Sequence, residues 1–222
     1  MALHAWDAAR DDAEWKQWLA KGRDFGQLTV AGEDGGYPQV VPLHFRFDGA
    51  ALVEAHLAAA NPVWHHLRRR PRVTLSVIDD YAYVPGTWRA AAGARPEHGV
   101  PTSFYAAVLL HGEVEIVDDH AELAGLLNRQ LAHHRHQGAE VAVSSPPYGP
   151  MLAGIIGLRL HVLEVAATFK YDGQKSAGHR ERVAEALHRR DEGRDRAARA
   201  QLLRRAAATA SDAEAPQPKV RE

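Results

Sequence analysis

The sequence contains no cysteine in 222 residues. That absence excludes disulfide staples, iron–sulfur clusters, a thiolate nucleophile and a thiolate haem ligand, so any metal or haem must be held through nitrogen or oxygen. An excess of either charge is also missing, since 27 Lys and Arg face 28 Asp and Glu for a formal charge of -1. A chain so balanced has no overall field to gather nucleic acid, and such a contact would need a local patch. No apolar run is long enough to span a membrane. The polar, acidic stretch from Trp6 to Trp18 lacks a signal-peptide pattern, so a cytoplasmic protein with no membrane contact is expected. No GxGxxG or GxxxxGK[ST] loop precedes a helix and no HExxH occurs, which removes the common dinucleotide, P-loop and zincin patterns.

What is present is enough apolar material, 45% of the residues, for one sizeable core. A short amphipathic helix is expected over Asp7 to Lys21, with Trp15, Trp18 and Leu19 on one side and Gly22 closing it. FGQLTVA from Phe25 reads as a strand, and the GEDGG run from Gly32 to Gly36 as a hairpin turn. QVVPLHFRF then alternates with Val41, Leu43, Phe45 and Phe47 on one face, and Asp48-Gly49 turns it into ALVEAHLA. Asn61 as N-cap, Pro62 at the first helical position and Arg68, Arg69 and Arg70 before Pro71 mark a short helix carrying Trp64, His65 and His66. Val73, Leu75 and Val77 begin another strand, and YAYVPGTW turns at Pro85-Gly86. A long strand follows from Ser103 through Tyr105, Val108, Leu110, Val114 and Ile116, with a phase adjustment expected near Ala106-Ala107. A helix with Leu123, Leu126, Leu127 and Leu131 on one side runs to the histidines around residue 134. A proline-rich segment and a last strand, IIGLRLHVLEV, complete the pattern.

Six or seven antiparallel strands and two helices predict a mainly β fold, a closed or nearly closed barrel with peripheral helices. Residues 1–178 form the expected barrel domain and residues 179–205 an arginine-rich C-terminal helix. Residues 206–222 have too little apolar surface to order themselves.

Several side chains are candidates for chemistry. A helix-borne neutral imidazole is a competent axial ligand to haem iron, and Arg68 and Arg69, three and four residues beyond His65, share its side of the helix, where haem propionates could be met. Spacing alone does not choose His65 over His66, and the same residues would serve as a solvated helix face. Trp64 fits either core or cofactor contact. His56, at a strand end facing that helix, could bind a cofactor or simply hydrogen-bond a neighbouring segment. Thr102, Ser103 and Tyr105 offer hydroxyls at a strand entry for fixing a polar ligand or relaying a proton. Lys170, at the end of the last strand, could meet a carboxylate or phosphate. Between His179 and Arg205 nine arginines face five acids, a pattern of a salt-bridged solvated face rather than a nucleic-acid reader, with no helix-turn-helix.

The runs HLAAANPVW at 56–64, YAYVPGTW at 81–88, PTSFYAAVLLHGEVEIVDD at 101–119 and FKYDGQKSAGHRERV at 169–183 resemble, in this order, the PaiB-type FMN-binding split-barrel proteins. The resemblance implies a split β-barrel homodimer with its cofactor where two subunits meet. Typical members look like NPQW followed by Arg or Lys, and like FKLSQN near the end; here His65 follows Trp64 and YDGQK follows Lys170. An imidazole in place of a fixed cation weakens a phosphate-binding role and creates a possible iron ligand. In that respect the chain resembles the haem-binding piperazate synthases of the same family. That resemblance implies haem b on His65 and conversion of L-N5-hydroxyornithine to L-piperazic acid, with Tyr105, Lys170, Ser103 and Thr102 placing substrate or moving protons. An ornithine N-hydroxylase is the implied functional partner. The alternatives are an FMN-dependent oxidoreductase on the same fold and a PaiB-like DNA-binding regulator using the arginine-rich helix.

Overall fold

The computed structural model describes residues 4–33, 36–133, 143 and 149–214. The tip of the GEDGG turn, the histidines and arginine at 134–136, most of the proline-rich segment and residues 215–222 lie outside the described residues. Six strands, β1 (Phe25–Val30), β2 (Gln39–Phe47), β3 (Leu52–Ala58), β4 (Arg72–Val84), β5 (Thr102–Val117) and β6 (Ile155–Lys170), are joined by helices. These are α1 (Asp12–Leu19), α2 (Val63–Arg69), α3 (Gly86–Arg89), α4 (His120–His133), α5 (Ala177–Arg190) and α6 (Asp195–Glu214). The strands close into an antiparallel barrel in the order β1-β2-β3-β6-β5-β4. The mainly β barrel with helices read from the alternation is the observed fold.

The chain forms two compact units, to which β4, β5 and β6 each contribute residues on both sides of a boundary. One unit comprises residues 10–77 and 108–166. Within it β1 pairs with β2 from Phe25–His44 to Val30–Gln39, and β3 pairs with β6 from Leu52–His161 to Ala58–Ile155. The turn between β2 and β3 is built by Asp48, whose Oδ1 accepts from the amides of Ala50, Ala51 and Leu52 at 2.8–3.0 Å. Gly49 there adopts φ +88°, which a side chain would resist. Leu43, Phe45, Val53, Leu75, Leu110, Leu158 and Leu160 point inward, and α4 lays Leu123, Leu126 and Leu127 over Val117. The helix α1 is shorter than the Asp7 to Lys21 span predicted. Asp11 caps it by accepting from the Glu14 amide at 2.8 Å, so the residues before Asp11 stay outside.

The other unit comprises residues up to Ala9, 78–107 and from Ala167 onward. It holds α3, α5 and α6 and the remaining ends of β4, β5 and β6. The arginine-rich segment is two helices rather than one. Asp191 takes a left-handed conformation at φ 48° and ends α5, and Asp195, its carboxylate held by Arg190 and accepting from the Glu192 amide, starts α6. The helix α6 runs from Asp195 to Glu214.

The phase of β5 also differs from the reading. Phe104, Ala106, Val108, Leu110, Gly112 and Val114 are buried in unbroken alternation, so Phe104 rather than Tyr105 faces inward and the register changes only between Val114 and Val117. The buried run Ala106-Ala107-Val108 hides that alternation in the sequence.

Candidate functional site

The helix α2 begins at Val63, one residue later than the sequence predicts, with Pro62 at its N-cap. Asn61 Oδ1 accepts from the Val63 amide at 3.0 Å, and the Arg70 amide closes the last turn on His66 O at 2.8 Å. Val63, Trp64 and Leu67, three and four residues apart, are buried and fix the helix to its unit. The indole of Trp64, 2% exposed, donates Nε1–H to the carbonyl of Ala58 at 2.9 Å. Trp64, which the sequence left between core and cofactor contact, is buried with its polar atom held by the backbone.

The opposite face of α2 carries His65, Arg68 and Arg69, all exposed. The His65 side chain is 61% exposed, and its Nε2 lies 3.6 Å from Glu33 Oε1, longer than a hydrogen bond. Its neighbour His66 is half-buried and meets the His65 ring edge-on at 5.7 Å between centroids. His66 turns instead toward a cleft of about 280 Å³ that it lines with Ala31, Gly32, Glu33, Arg69 and Arg70. His65 is thus the more exposed imidazole and His66 the one that lines the cleft, and Arg68 and Arg69 are exposed cations of the same helix. Among the described residues no group of three or more His, Asp or Glu could hold a bare metal ion. His56 packs toward α4. It donates Nδ1–H to Gln130 Oε1 of α4 at 2.8 Å, and Gln130 in turn donates to Glu54 O, so this histidine serves strand-to-helix packing.

The hydroxyl and ammonium candidates belong to the other unit. Strand alternation puts Ser103 and Tyr105 on one face of β5 and Thr102 on the other with Phe104, so the three hydroxyls do not act together. Lys170, at the last position of β6, reaches over the Tyr105 ring with Nζ 5.7 Å from its centroid. Asp7, which the sequence gave no reason to single out, is buried near them. Burial pushes its carboxyl above the usual range, an effect that the charges of Lys170, His4 and Arg205 only partly oppose.

Sequence reasoning also missed a buried ionic group at the end of β6. Arg89 donates Nη2–H and Nε–H to Asp172 at 2.8 and 3.2 Å, and His179 donates Nε2–H to the same carboxylate at 2.9 Å. Burial alone would raise the Asp172 pKa, but the hydrogen bonds from Arg89 and His179 outweigh it and hold the carboxyl below its ordinary value. Asp172 takes a left-handed φ of 52° after the strand, Ser176 caps α5, and the first turn of that helix brings His179 back to Asp172. The signal was present in YDGQKSAGH, where an acid precedes a helix cap and a histidine, but the arginine that completes it is 83 positions away.

Residues 2–164 match a family model described as "Putative FMN-binding domain". Among solved structures, the chain is similar to a "putative 5-nitroimidazole antibiotic resistance protein" from Bacteroides thetaiotaomicron, with TM-score 0.56 and 14% identity over 72% of this chain and 85% of that one. It is similar to the flavocytochrome Anf3 from Azotobacter vinelandii, with TM-score 0.57 and 16% identity over 77% and 72%. A third is the FAD and heme binding protein from Mycobacterium smegmatis, with TM-score 0.53 and 16% identity over 81% and 80%. At these identities the likeness is one of fold. No curated protein matches the chain.

Proposed function

The chain belongs to this FMN-binding domain family, and from that premise we propose that it is a haem-dependent piperazate synthase, cyclising L-N5-hydroxyornithine to L-piperazic acid with loss of water. The observation that carries the reading is the exposed imidazole of His65, which among the described residues has only Glu33 Oε1 near it, at 3.6 Å. Its donor set fits a haem: one nitrogen for iron, with Arg68 and Arg69 beside it for propionates. Two of the structurally similar proteins carry flavocytochrome or heme in their names, which makes a haem on this fold physically reasonable.

Iron in a bound haem would supply a Lewis acid that makes the hydroxylamine N–O bond easier to break. The remaining work falls to the chain. The α-amine must be held against N5 so that an N–N bond forms as the N–O bond breaks, and proximity supplies much of the rate. A proton leaves the amine and a proton reaches the departing hydroxide, giving water and no net oxidation. Lys170 and Tyr105, adjacent in the structure, are the proposed groups for substrate placement and proton transfer, with Ser103 on the same face as Tyr105. Thr102 would act only on the other face of β5. A homodimer, with the site completed by a second copy, is part of the proposal.

A second reading, an FMN-binding oxidoreductase, draws on the family match and on the cleft lined by His66, Arg69 and Arg70, whose two guanidinium groups suit a phosphate. Incubating haem-loaded protein with L-N5-hydroxyornithine separates the two. Formation of the cyclic product, lighter by one water, is the expected result, and unchanged substrate in the presence of a bound haem would reject the synthase.

A further inference from the structure

Beside Asp172 lies a cleft of about 410 Å³ that neither reading of α2 uses. Its lining includes Arg89, His98, Lys175, His179 and Arg182 and no carboxylate. The one acid behind it, Asp172, is 4% exposed and fully engaged by Arg89 and His179, so its charge offsets those groups and nothing further. Arg89 has little left to offer a ligand, because its third nitrogen donates to the carbonyl of Val100 at 2.5 Å. Nearby Glu97 is taken by Arg95 at 2.6 Å.

Two cations remain uncompensated. The Lys175 ammonium has no hydrogen-bond or ion-pair partner among the described residues, and its backbone N–H donates to Asp172 O at 2.9 Å. Among the described residues the Arg182 guanidinium makes only carbonyl contacts, to Gly178 at 3.1 Å and Ala90 at 3.4 Å, and meets no acid. Both project from exposed positions around the buried Arg89–Asp172–His179 group, which fixes the backbone that carries them. The volume lies within the range of small-molecule sites, roughly 300–1,000 Å³. Two unpaired positive charges match the roughly -1.5 to -2 charge of a phosphate monoester at neutral pH better than a single carboxylate does.

We propose that this cleft is a binding site for a small phosphate monoester, gripped by Lys175 and Arg182 on a wall held rigid by Asp172. The proposal does not depend on haem or on the synthase reading. It is tested by titration calorimetry on the full chain, prepared without phosphate, with glycerol 3-phosphate, inorganic phosphate and acetate as probes. Glycerol 3-phosphate and phosphate are expected to bind with a stoichiometry of one, and acetate at least about tenfold more weakly. The Lys175→Ala, Arg182→Ala double variant should lose about tenfold or more in affinity for the ester, while Lys175→Arg, which keeps the charge, stays near the parent value. Circular dichroism of each variant confirms that it is folded. Absence of ester binding by the parent chain, equal binding of acetate, or an undiminished double variant would each overturn the proposal. Arg69→Ala, in the cleft beside α2, should bind the ester unchanged, and loss of binding there would move the anion to α2 and overturn the proposal as well.

Discussion

Glu54 sits on β3 with its side chain 2% exposed and the guanidinium groups of Arg46, Arg129 and Arg159 at 3.1, 2.5 and 3.8 Å. Burial by itself would raise its pKa, yet Arg129 and Arg46 outweigh burial and hold the carboxyl below its ordinary value. Glu54→Gln keeps the shape and removes the charge that three arginines share. Because Arg129 is 44% exposed and so partly screened, the loss falls below that of a wholly buried pair. Destabilisation on the order of 2–3 kcal/mol is expected, read from the urea midpoint at unchanged slope. An undisturbed midpoint would mean that the cluster contributes geometry and no stability. On α2 the same scale separates two adjacent histidines. His66→Ala should leave haem binding intact, since His66 is half-buried and faces the cleft, whereas His65 carries the proposed iron bond.

Among the elements, β5 and α2 respond to different physics. In β5, a Cβ added at Gly112 would stand 2.0 Å from the backbone carbonyl oxygen of His161 on β6. Backbone cannot yield as a flexible side chain can, so Gly112→Ala should cost at least about 1–3 kcal/mol, seen as a lower thermal midpoint. In α2, Asn61→Ala removes the acceptor for the Val63 amide and should cost about 1 kcal/mol, measured in the same way. These two elements also show what a sequence reveals. The start of α2 is legible because Asn61, Pro62 and Val63 are consecutive, and the capping contact is local. The phase of β5 is not, because Ala106, Ala107 and Val108 are all apolar and all buried, so no polar residue marks the outward face. The elbow at Asp191 escaped for a related reason, since a left-handed aspartate leaves no sign as plain as glycine or proline. The Arg89–Asp172–His179 group needed the fold itself: two of its members are local, and the third arrives from α3. His65 was legible as a candidate, and its exposure became known only when Val63, Trp64 and Leu67 were seen to take the buried face.

For the molecule as a whole, the carboxylates set the response to acid. Glu54, Asp172 and Asp195 all have pKa values held below their ordinary ones, by Arg129 and Arg46, by Arg89 and His179, and by Arg190, each against the opposing effect of burial. Groups of this kind contribute stability that is present above the unfolded carboxylate range and lost as pH falls through their folded values. Asp7 runs the other way. Burial raises its pKa, so its contribution is present at low pH and lost as pH rises through the elevated value. Three groups outnumber one, and stability measured by denaturant at successive pH values should fall below the ordinary carboxylate range. A flat profile there would contradict the role given to the buried ion pairs. Among the described residues no helix is long and apolar enough to cross a membrane.

The central claim is that His65 holds the iron of a haem. The most direct measurement is an absorbance titration of the purified chain with haem, alongside His65→Ala and His66→Ala. A saturable Soret band in the parent and in His66→Ala, lost or shifted in His65→Ala, is the predicted result. Flavin bands with no Soret band, or a Soret band indifferent to His65, would contradict it.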